Sequence, residues 1–333
     1  MAMRSTVSGP EFNLPRLREL LSGFRPSRVL LTAVELDVFN VLGDKFLSAR
    51  QVAARIRADR RASERLLAAL CGMGLLVEDN GRFANTATAR RLLVRGGEEY
   101  QAGLGHTVHL WESWSTLTAA VRRGRCLPRR ARPQSWLDDF IAAMNDRAVP
   151  AAAVVAERIG LRGVKQVLDV GGGSGAYAMA FVRARQGITA VVFDLPEVVP
   201  LTRRYIEGAG LADRVHTHAG DYLGDPLPSG FDLVLLSAIV HSNSADENRR
   251  LIRKCAKALN RNGRLVVQDF IMNEDRTRPV AGTFFALNML VNTKAGDTYT
   301  ANEIGSWMKA AGLSDIRLQE FPAGNSLFIG RLL

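Results

Sequence analysis

Apolar and polar positions along this chain change their period near its middle. From Arg16 to Leu42 the apolar residues recur at helical spacing (Val29, Leu30, Ala33, Val34, Leu36, Val38, Phe39, Leu42), which predicts one or two largely buried helices. Ser48 has the chemistry of an N-cap before a helix over Ala49–Ile56. Ser63 has it before Glu64–Met73, which stops near Gly72 and Gly74. Leu75–Glu78 and Arg82–Ala84 flank Asp79-Asn80-Gly81, a sequence that favours a hairpin because Asn and Gly tolerate the positive φ of a tight turn. Helices followed by a small β-ribbon predict a winged helix. From Gly97 to Gly160 the spacing is mostly helical again.

After that the pattern becomes short buried runs alternating with amphipathic segments. Strands are predicted at Gln166–Val170, Thr189–Asp194, Arg214–Ala219, Phe231–Ser237 and Gly263–Asp269. Helices are predicted around Ala176 and over Val198–Gly208, Ala245–Leu259 and Thr300–Ala311. The expected class is α/β, a doubly wound Rossmann-like sheet preceded by a mostly helical winged-helix domain. A closing hairpin, Ile316–Phe321 and Ser326–Leu332 across Pro322–Asn325, makes the last strand antiparallel. The organisation expected is a disordered N-terminus or cloning remnant over 1–12, a winged-helix domain over 13–96, a helical connector and pocket wall over 97–160, and the sheet domain over 161–333.

Composition narrows the class. A chain of 333 residues that is 47% hydrophobic has ample core for two domains. Cys71, Cys126 and Cys255 match neither a disulfide framework nor a zinc pattern. No apolar run reaches the length of a membrane span, and Met1–Phe12 lacks the apolar core of a signal peptide, so a reducing cytoplasm is expected. The net charge of +11 is uneven: basic residues outnumber acidic ones by 23 to 15 in residues 1–150 and by 21 to 18 in the remainder. Arg122, Arg123, Arg125, Arg129, Arg130 and Arg132 crowd one connection, read as solvated although such a cluster can attract nucleic acid, an anionic membrane or an acidic substrate.

The chemistry concentrates at VLDVGGGSG, Val167–Gly175. A buried strand ends at a glycine turn before a helix, so backbone amides can approach an acidic ligand where a Cβ would block it. The next strand ends at Asp194, some twenty residues on, where a carboxylate can accept hydrogen bonds from both hydroxyls of a ribose. An adenosine-bearing ligand follows. Ligands of such sheets bind beyond the strand carboxyl ends, which singles out Asp169–Gly175, Asp194, Asp221, Ser237–His241 and Asp269. The connector carries His106, His109, Trp111, Trp114, Trp136, Phe140 and Met144, an aromatic stripe that either packs or walls a pocket.

Taken together, VLDVGGGSG, VVFDLPEVV, AGDYL, FDLVLLSAIVH, NRNGRLVVQDF and ALNMLVNTKAG, in that order, resemble the S-adenosylmethionine-dependent O-methyltransferases of plant and bacterial small-molecule metabolism. The similarity runs from about Leu14 to Leu332 and includes the winged-helix front end. It implies S-adenosyl-L-methionine as cofactor, S-adenosyl-L-homocysteine as product, and no metal. Asp169, Gly171, Gly173 and Gly175 would surround the methionine part. Asp194, with Leu195, would take the ribose, Asp221 the adenine amino group, and Tyr222 would stack nearby. His241 falls at the catalytic base and Asp269, twenty-eight residues on, at its carboxylate partner.

Trp111, Phe140, Met144, Phe285, Asn288, Met289 and Asn292 fall where the family walls its acceptor, which predicts an apolar pocket with a few amides for an aromatic or polyketide-like hydroxyl compound. The partners implied are that small molecule and a second copy bound through the N-terminal domain, with no nucleic acid and no membrane. The chain departs from the family's Lys-Trp-x-x-His-Asp-Trp, reading Ser237, Ala238, His241, Ser242 and Asn243. Ser237 replaces a lysine able to contact the cofactor, and Thr298, beside Asp297, replaces the second acidic partner of the base. Two other readings stay open: a relative that uses the cofactor pocket without net methyl transfer (hydroxylase, decarboxylase or pericyclase), and a winged-helix DNA-binding regulator. Against the regulator, Glu64–Met73 carries no basic residue beyond Arg65.

Overall fold

A computed structural model describes residues 12–128, 135–320 and 325–333. Residues 1–11 of the N-terminal tail, Arg129, Arg130 and Arg132 of the basic stretch, and residues 321–324 at the closing hairpin lie outside the described residues. The chain divides into two compact units between Val108 and His109.

In the first unit the Arg16–Leu42 pattern resolves into three helices instead of one or two: α1 (Leu14–Ser22), α2 (Phe24–Glu35) and α3 (Val38–Leu42). Asp37 adopts a left-handed φ of 59° between α2 and α3, which no continuous helix accommodates. Strand β1 (Leu47–Ser48) leads into α4 (Ala49–Arg55), where Ser48 and Gln51 form a reciprocal capping box. The following helix, α5 (Arg60–Gly72), starts earlier than expected. Its cap is Asp59, which accepts from the Ala62 amide at 2.8 Å, while Ser63 is buried in the first turn and donates to the Asp59 carbonyl at 2.7 Å. Strands β2 (Leu76–Asp79) and β3 (Arg82–Asn85) form the expected hairpin around Asn80 and Gly81, both at positive φ. Helix α6 (Ala87–Leu93), capped by Thr86, completes the unit. Phe39, Leu42, Val52, Leu67 and Leu70 are buried at its centre, whereas α1 buries none of its residues and exposes Leu14, Leu20 and Leu21.

The second unit takes up α7 (Leu104–Trp114) from His109 onward, then α8 (Leu117–Arg123) and α9 (Trp136–Ile159). The sheet follows with β4 (Gln166–Val170), α10 (Ala176–Ala184), β5 (Thr189–Asp194), α11 (Val199–Gly208), β6 (Val215–Ala219) and β7 (Phe231–Ser237). A single turn of 3-10 helix over Val240–Ser242, α12 (Ala245–Ala258), β8 (Leu259–Met272) and α13 (Val280–Asn292) come next. The chain ends with β9 (Tyr299–Thr300), α14 (Ala301–Ala310), β10 (Leu313–Glu320) and β11 (Asn325–Leu332). The main sheet has the order β10-β11-β8-β7-β4-β5-β6, with β11 antiparallel to its neighbours as the hairpin pattern required. Alternate residues of the central strands face opposite layers: Leu168, Val234 and Leu236 pack on one side, and Val167, Leu233 and Leu235 on the other, all fully buried. Strand order reverses between β4 and β7, and that switch opens a crevice at the carboxyl ends of β4, β5 and β7. Among the described residues no helix is long and apolar enough to cross a membrane.

Candidate active site

The crevice is floored by the glycine turn between β4 and α10. Gly171, Gly173 and Gly175 all hold positive φ (67°, 57° and 77°). A side chain at Gly171 would collide with Ile239, and one at Gly172 would come within 2.7 Å of the Asp169 carboxylate. Asp194 pins the turn from β5: its Oδ2 accepts from the Gly173 amide and its Oδ1 from the Leu195 amide, both at 2.8 Å. Thr202 on α11 adds a bond to the Gly173 carbonyl at 2.6 Å. Burial raises the Asp194 pKa, and the two amides pull it back. Each Asp194 oxygen keeps a free lone pair, so a vicinal diol can still be bound.

Asp169 is in a different state. Its carboxyl group is buried, and neither oxygen makes a well-formed hydrogen bond among the described residues. Burial pushes its pKa up to about 7. The Ala178 amide opposes that shift and the charge of Asp194 adds to it. A buried carboxylate without a well-formed partner, beside a cradle of glycines at positive φ, suits a ligand that brings an ammonium group close to the backbone, as the methionine end of S-adenosylmethionine does. The residues present therefore fit that cofactor.

At the far side of the crevice Tyr222, its ring against Gly171, donates to Asn243 Oδ1 at 3.3 Å, and burial pushes its pKa up to about 12. Asn243 is held in turn by Asn248, and its carbonyl accepts from Tyr299 at 2.6 Å. Asp221 is exposed and accepts from the Leu223 amide at 2.8 Å. Ser237 Oγ donates to Gln268 Oε1 at 3.1 Å, and the Tyr177 hydroxyl hydrogen-bonds to both. This neutral trio, of which sequence reasoning found only Ser237, occupies the strand ends where the family pattern puts a lysine.

The expected base, His241, lies where β7 and β8 end. Ala238 turns the chain with a left-handed φ of 57°, and the 3-10 turn that follows carries His241. His241 Nδ1 meets Asp269 Oδ1 at 2.8 Å and Oδ2 at 3.0 Å. The amide of Phe270 donates to Oδ1 at 2.8 Å and that of His241 to Oδ2 at 3.3 Å. Asp269 is thus fixed by backbone donors at both oxygens and presents its charge to Nδ1. The imidazole is committed to the tautomer with hydrogen on Nδ1, which leaves Nε2 as its basic atom. Phe285 from α13 meets the ring edge-on at 4.6 Å and also packs on Phe270.

The other wall candidates separate into two groups. Asn288 Oδ1 accepts from Asn292 Nδ2 and from Trp114 Nε1, both at 2.9 Å, and Met289 is buried on the same helix. Phe140 stacks on Trp136 at 5.3 Å and packs toward Val198 and Leu201 at the β5 side, while its neighbour Ile141 covers Gly173. Met144 and Trp111 are half-buried on α9 and α7. His109, a member of the connector stripe, pairs with Asp139 at 3.0 Å. Thr298 is buried, and the adjacent Asp297 is 3.6 Å from Arg276, a residue that sequence reasoning passed over.

Sequence comparison agrees with this geometry. Residues 114–314 match the profile of the O-methyltransferase domain, and residues 18–95 that of the O-methyltransferase dimerisation domain. The chain is 32% identical over 329 residues to the 3-hydroxy-5-methyl-1-naphthoate 3-O-methyltransferase of Streptomyces sahachiroi, covering 94% of each. It is 29% identical to the tetracenomycin polyketide synthesis 8-O-methyl transferase TcmO of Streptomyces glaucescens, covering 94% of this chain and 95% of that one. Among solved structures PigF with SAH superposes with a TM-score of 0.87 at 26% identity, over 96% of this chain and 100% of that one. The chain belongs to the S-adenosylmethionine-dependent O-methyltransferase family.

Proposed function

We propose that this member of the O-methyltransferase family methylates a hydroxyl of a small aromatic, polyketide-like metabolite, with His241 as general base and Asp269 as the carboxylate that orients it. The observation that carries the reading is the two-point contact of Asp269 with His241 Nδ1, which turns Nε2 toward the role of proton acceptor. S-adenosylmethionine supplies a methyl group already activated on a sulfonium. What remains for the chain is to hold a hydroxyl in line and take its proton. Asp169 and Asp194 would fix the two ends of the cofactor, with Gly171, Gly173, Gly175, Leu195, Asp221, Tyr222 and Ser237 around it. Asp269 stabilises the imidazolium that forms when His241 accepts the proton. Trp111, Phe140, Met144, Phe285, Asn288, Met289 and Asn292 are proposed to wall the acceptor. The named activities of the Streptomyces relatives, on a hydroxynaphthoate and a tetracenomycin polyketide, support the acceptor class. A homodimer through the first unit is supported by the dimerisation-domain match and by the exposed leucines of α1.

Replacing His241 by Ala is expected to lower kcat by roughly two to four powers of ten while S-adenosylhomocysteine binds with nearly unchanged affinity. Full turnover in that variant removes His241 from the reaction. A second reading, cofactor use without net methyl transfer, is favoured by one observation: Thr298 replaces the second acid of the family, and Asp297 is drawn toward Arg276. S-adenosylhomocysteine formed in equal amount with product excludes it.

A further inference from the structure

Trp114 Nε1 on α7 donates to Asn288 Oδ1 on α13 at 2.9 Å. An indole N–H can only donate, so the Asn288 atom that faces it has to be the oxygen, whichever way a free amide would turn. The Asn292 amide nitrogen donates to the same oxygen, also at 2.9 Å. Both lone pairs of Oδ1 are therefore in use. The Nδ2 group is left with two N–H donors in a fixed direction, and among the described residues neither has an acceptor or is sealed from solvent.

The place of these donors gives them a meaning. Asn288 stands three residues after Phe285, whose ring touches the His241 imidazole, and residues three apart share a helix face. Three residues advance a helix by roughly 4.5 Å, so the donors sit about that far along α13 from the level of the base. Trp114 and Asn292, the side chains that hold Asn288, are uncharged. Neither brings a cation to offset a carboxylate, whereas a neutral carbonyl oxygen is served by the two N–H donors alone.

We propose that Asn288 reads a neutral carbonyl oxygen on the acceptor, so that the substrate is an aromatic ketone, quinone or ester whose carbonyl is meta to the hydroxyl that receives the methyl group. A meta relationship matches the offset between base and donors. The inference rests on the reading of His241 as the base of this cleft.

The probes are 4-acetyl-2-naphthol and 4-ethyl-2-naphthol, which have nearly the same shape but differ in the carbonyl. The intact enzyme is expected to favour the acetyl compound by about ten- to hundredfold in kcat/KM, and to bind it correspondingly tighter in calorimetry with S-adenosylhomocysteine present. Asn288→Leu should bring both ratios to within about threefold. Trp114→Phe, which keeps the ring and frees the amide to turn, should lower them part of the way. A preference that survives Asn288→Leu, a ratio unmoved by Trp114→Phe, or no preference in the intact enzyme overturns the proposal. His241→Ala separates this outcome from failure of the base assignment: binding preference should persist there while turnover falls. Undiminished turnover in His241→Ala refutes the base and leaves the binding ratio to judge Asn288.

Discussion

The two ends of the crevice are built in different ways. At the cofactor end the work is done by backbone: three glycines at positive φ, amides that hold Asp194, and a strand terminus that buries Asp169. At the acceptor end it is done by side chains gathered from distant parts of the sequence. Asp269 comes from 28 residues beyond His241, and Trp114 from 174 residues before Asn288. A backbone cradle tolerates few substitutions because Gly171, Gly173 and Gly175 hold a left-handed φ that strains any L side chain, and a Cβ at Gly171 or Gly172 would also collide with Ile239 or Asp169. A side-chain wall can be rebuilt residue by residue. The chain keeps the family pattern in the glycine turn and at Asp194, and departs from it in side chains: at Ser237 beside the cofactor cradle, at Asn243, and at Thr298.

At the cofactor end the largest effect is expected at Asp194. Asp194→Ala removes the carboxylate that bonds the Gly173 and Leu195 amides and that would accept both ribose hydroxyls. Loss of two charge-assisted hydrogen bonds costs about 2–4 kcal/mol, or roughly thirty- to a thousandfold in S-adenosylhomocysteine affinity by calorimetry. Unchanged affinity would show that the backbone cradle binds without this carboxylate, and the ribose assignment would be lost.

A smaller effect, specific to the cofactor end, comes from pH. The Asp169 pKa is raised to about 7 in the folded chain, against about 4 for an unfolded aspartate. The folded state therefore binds more protons across that interval, and the ligand-free protein should lose stability as pH rises from about 4 to about 7. A ligand ammonium requires the charged carboxylate. At pH 6 the group is mostly protonated, so S-adenosylhomocysteine should bind about tenfold more weakly than at pH 8 and release close to one proton on binding. Calorimetry in two buffers of different ionisation enthalpy measures that proton. Asp169→Asn should abolish the release, and an equal proton count in the variant would assign it elsewhere.

The same contrast explains how much could be read from the sequence. The glycine turn was legible because strand, turn and helix lie within one short stretch, and the spacing to Asp194 placed a carboxylate at the adjacent strand end. The hairpin at Asn80-Gly81 was legible for the same local reason. The start of α5 was not, because Asp59 and Ser63 are both good caps and stand one turn apart; only the fold shows that Ser63 is buried. The His241–Asp269 pairing was reached through family resemblance, since periodicity says nothing about which strand ends converge. Asn288, Asn292 and Ser237 are singled out by resemblance, but the bonds that tie them to Trp114 and to Gln268 cross the fold and leave no mark in spacing. Trp114, Tyr177 and Gln268 read as ordinary helix or strand composition until the chain is folded.

Arg276 tests the acceptor end with the smallest effect. It precedes α13 in a loop, yet its guanidinium donates to the Thr298 carbonyl at 2.6 Å and to both oxygens of Glu303 at 2.7 and 2.8 Å. Helix α13 leaves the sheet after β8 and returns at β9, so Arg276 ties the two ends of that excursion together. Beside the return, Gly296 packs so closely on the His241 carbonyl that a Cβ there would collide with it. The side chain is partly exposed, which reduces the worth of its ion pairs, and its own left-handed φ of 57° is unfavourable. Arg276→Ala keeps that backbone cost and loses the clamp, for an expected drop in stability of about 1–2 kcal/mol. The distance from cofactor end to clamp sets the rest of the expectation: KM for the acceptor should rise by a factor of roughly three, with S-adenosylhomocysteine affinity unchanged. Arg276→Lys keeps one charge without the two-pronged fork and should fall between the two. If all three proteins share one acceptor KM, the placement of α13 does not depend on this clamp, and the acceptor wall is held by its own packing on Phe270 and His241.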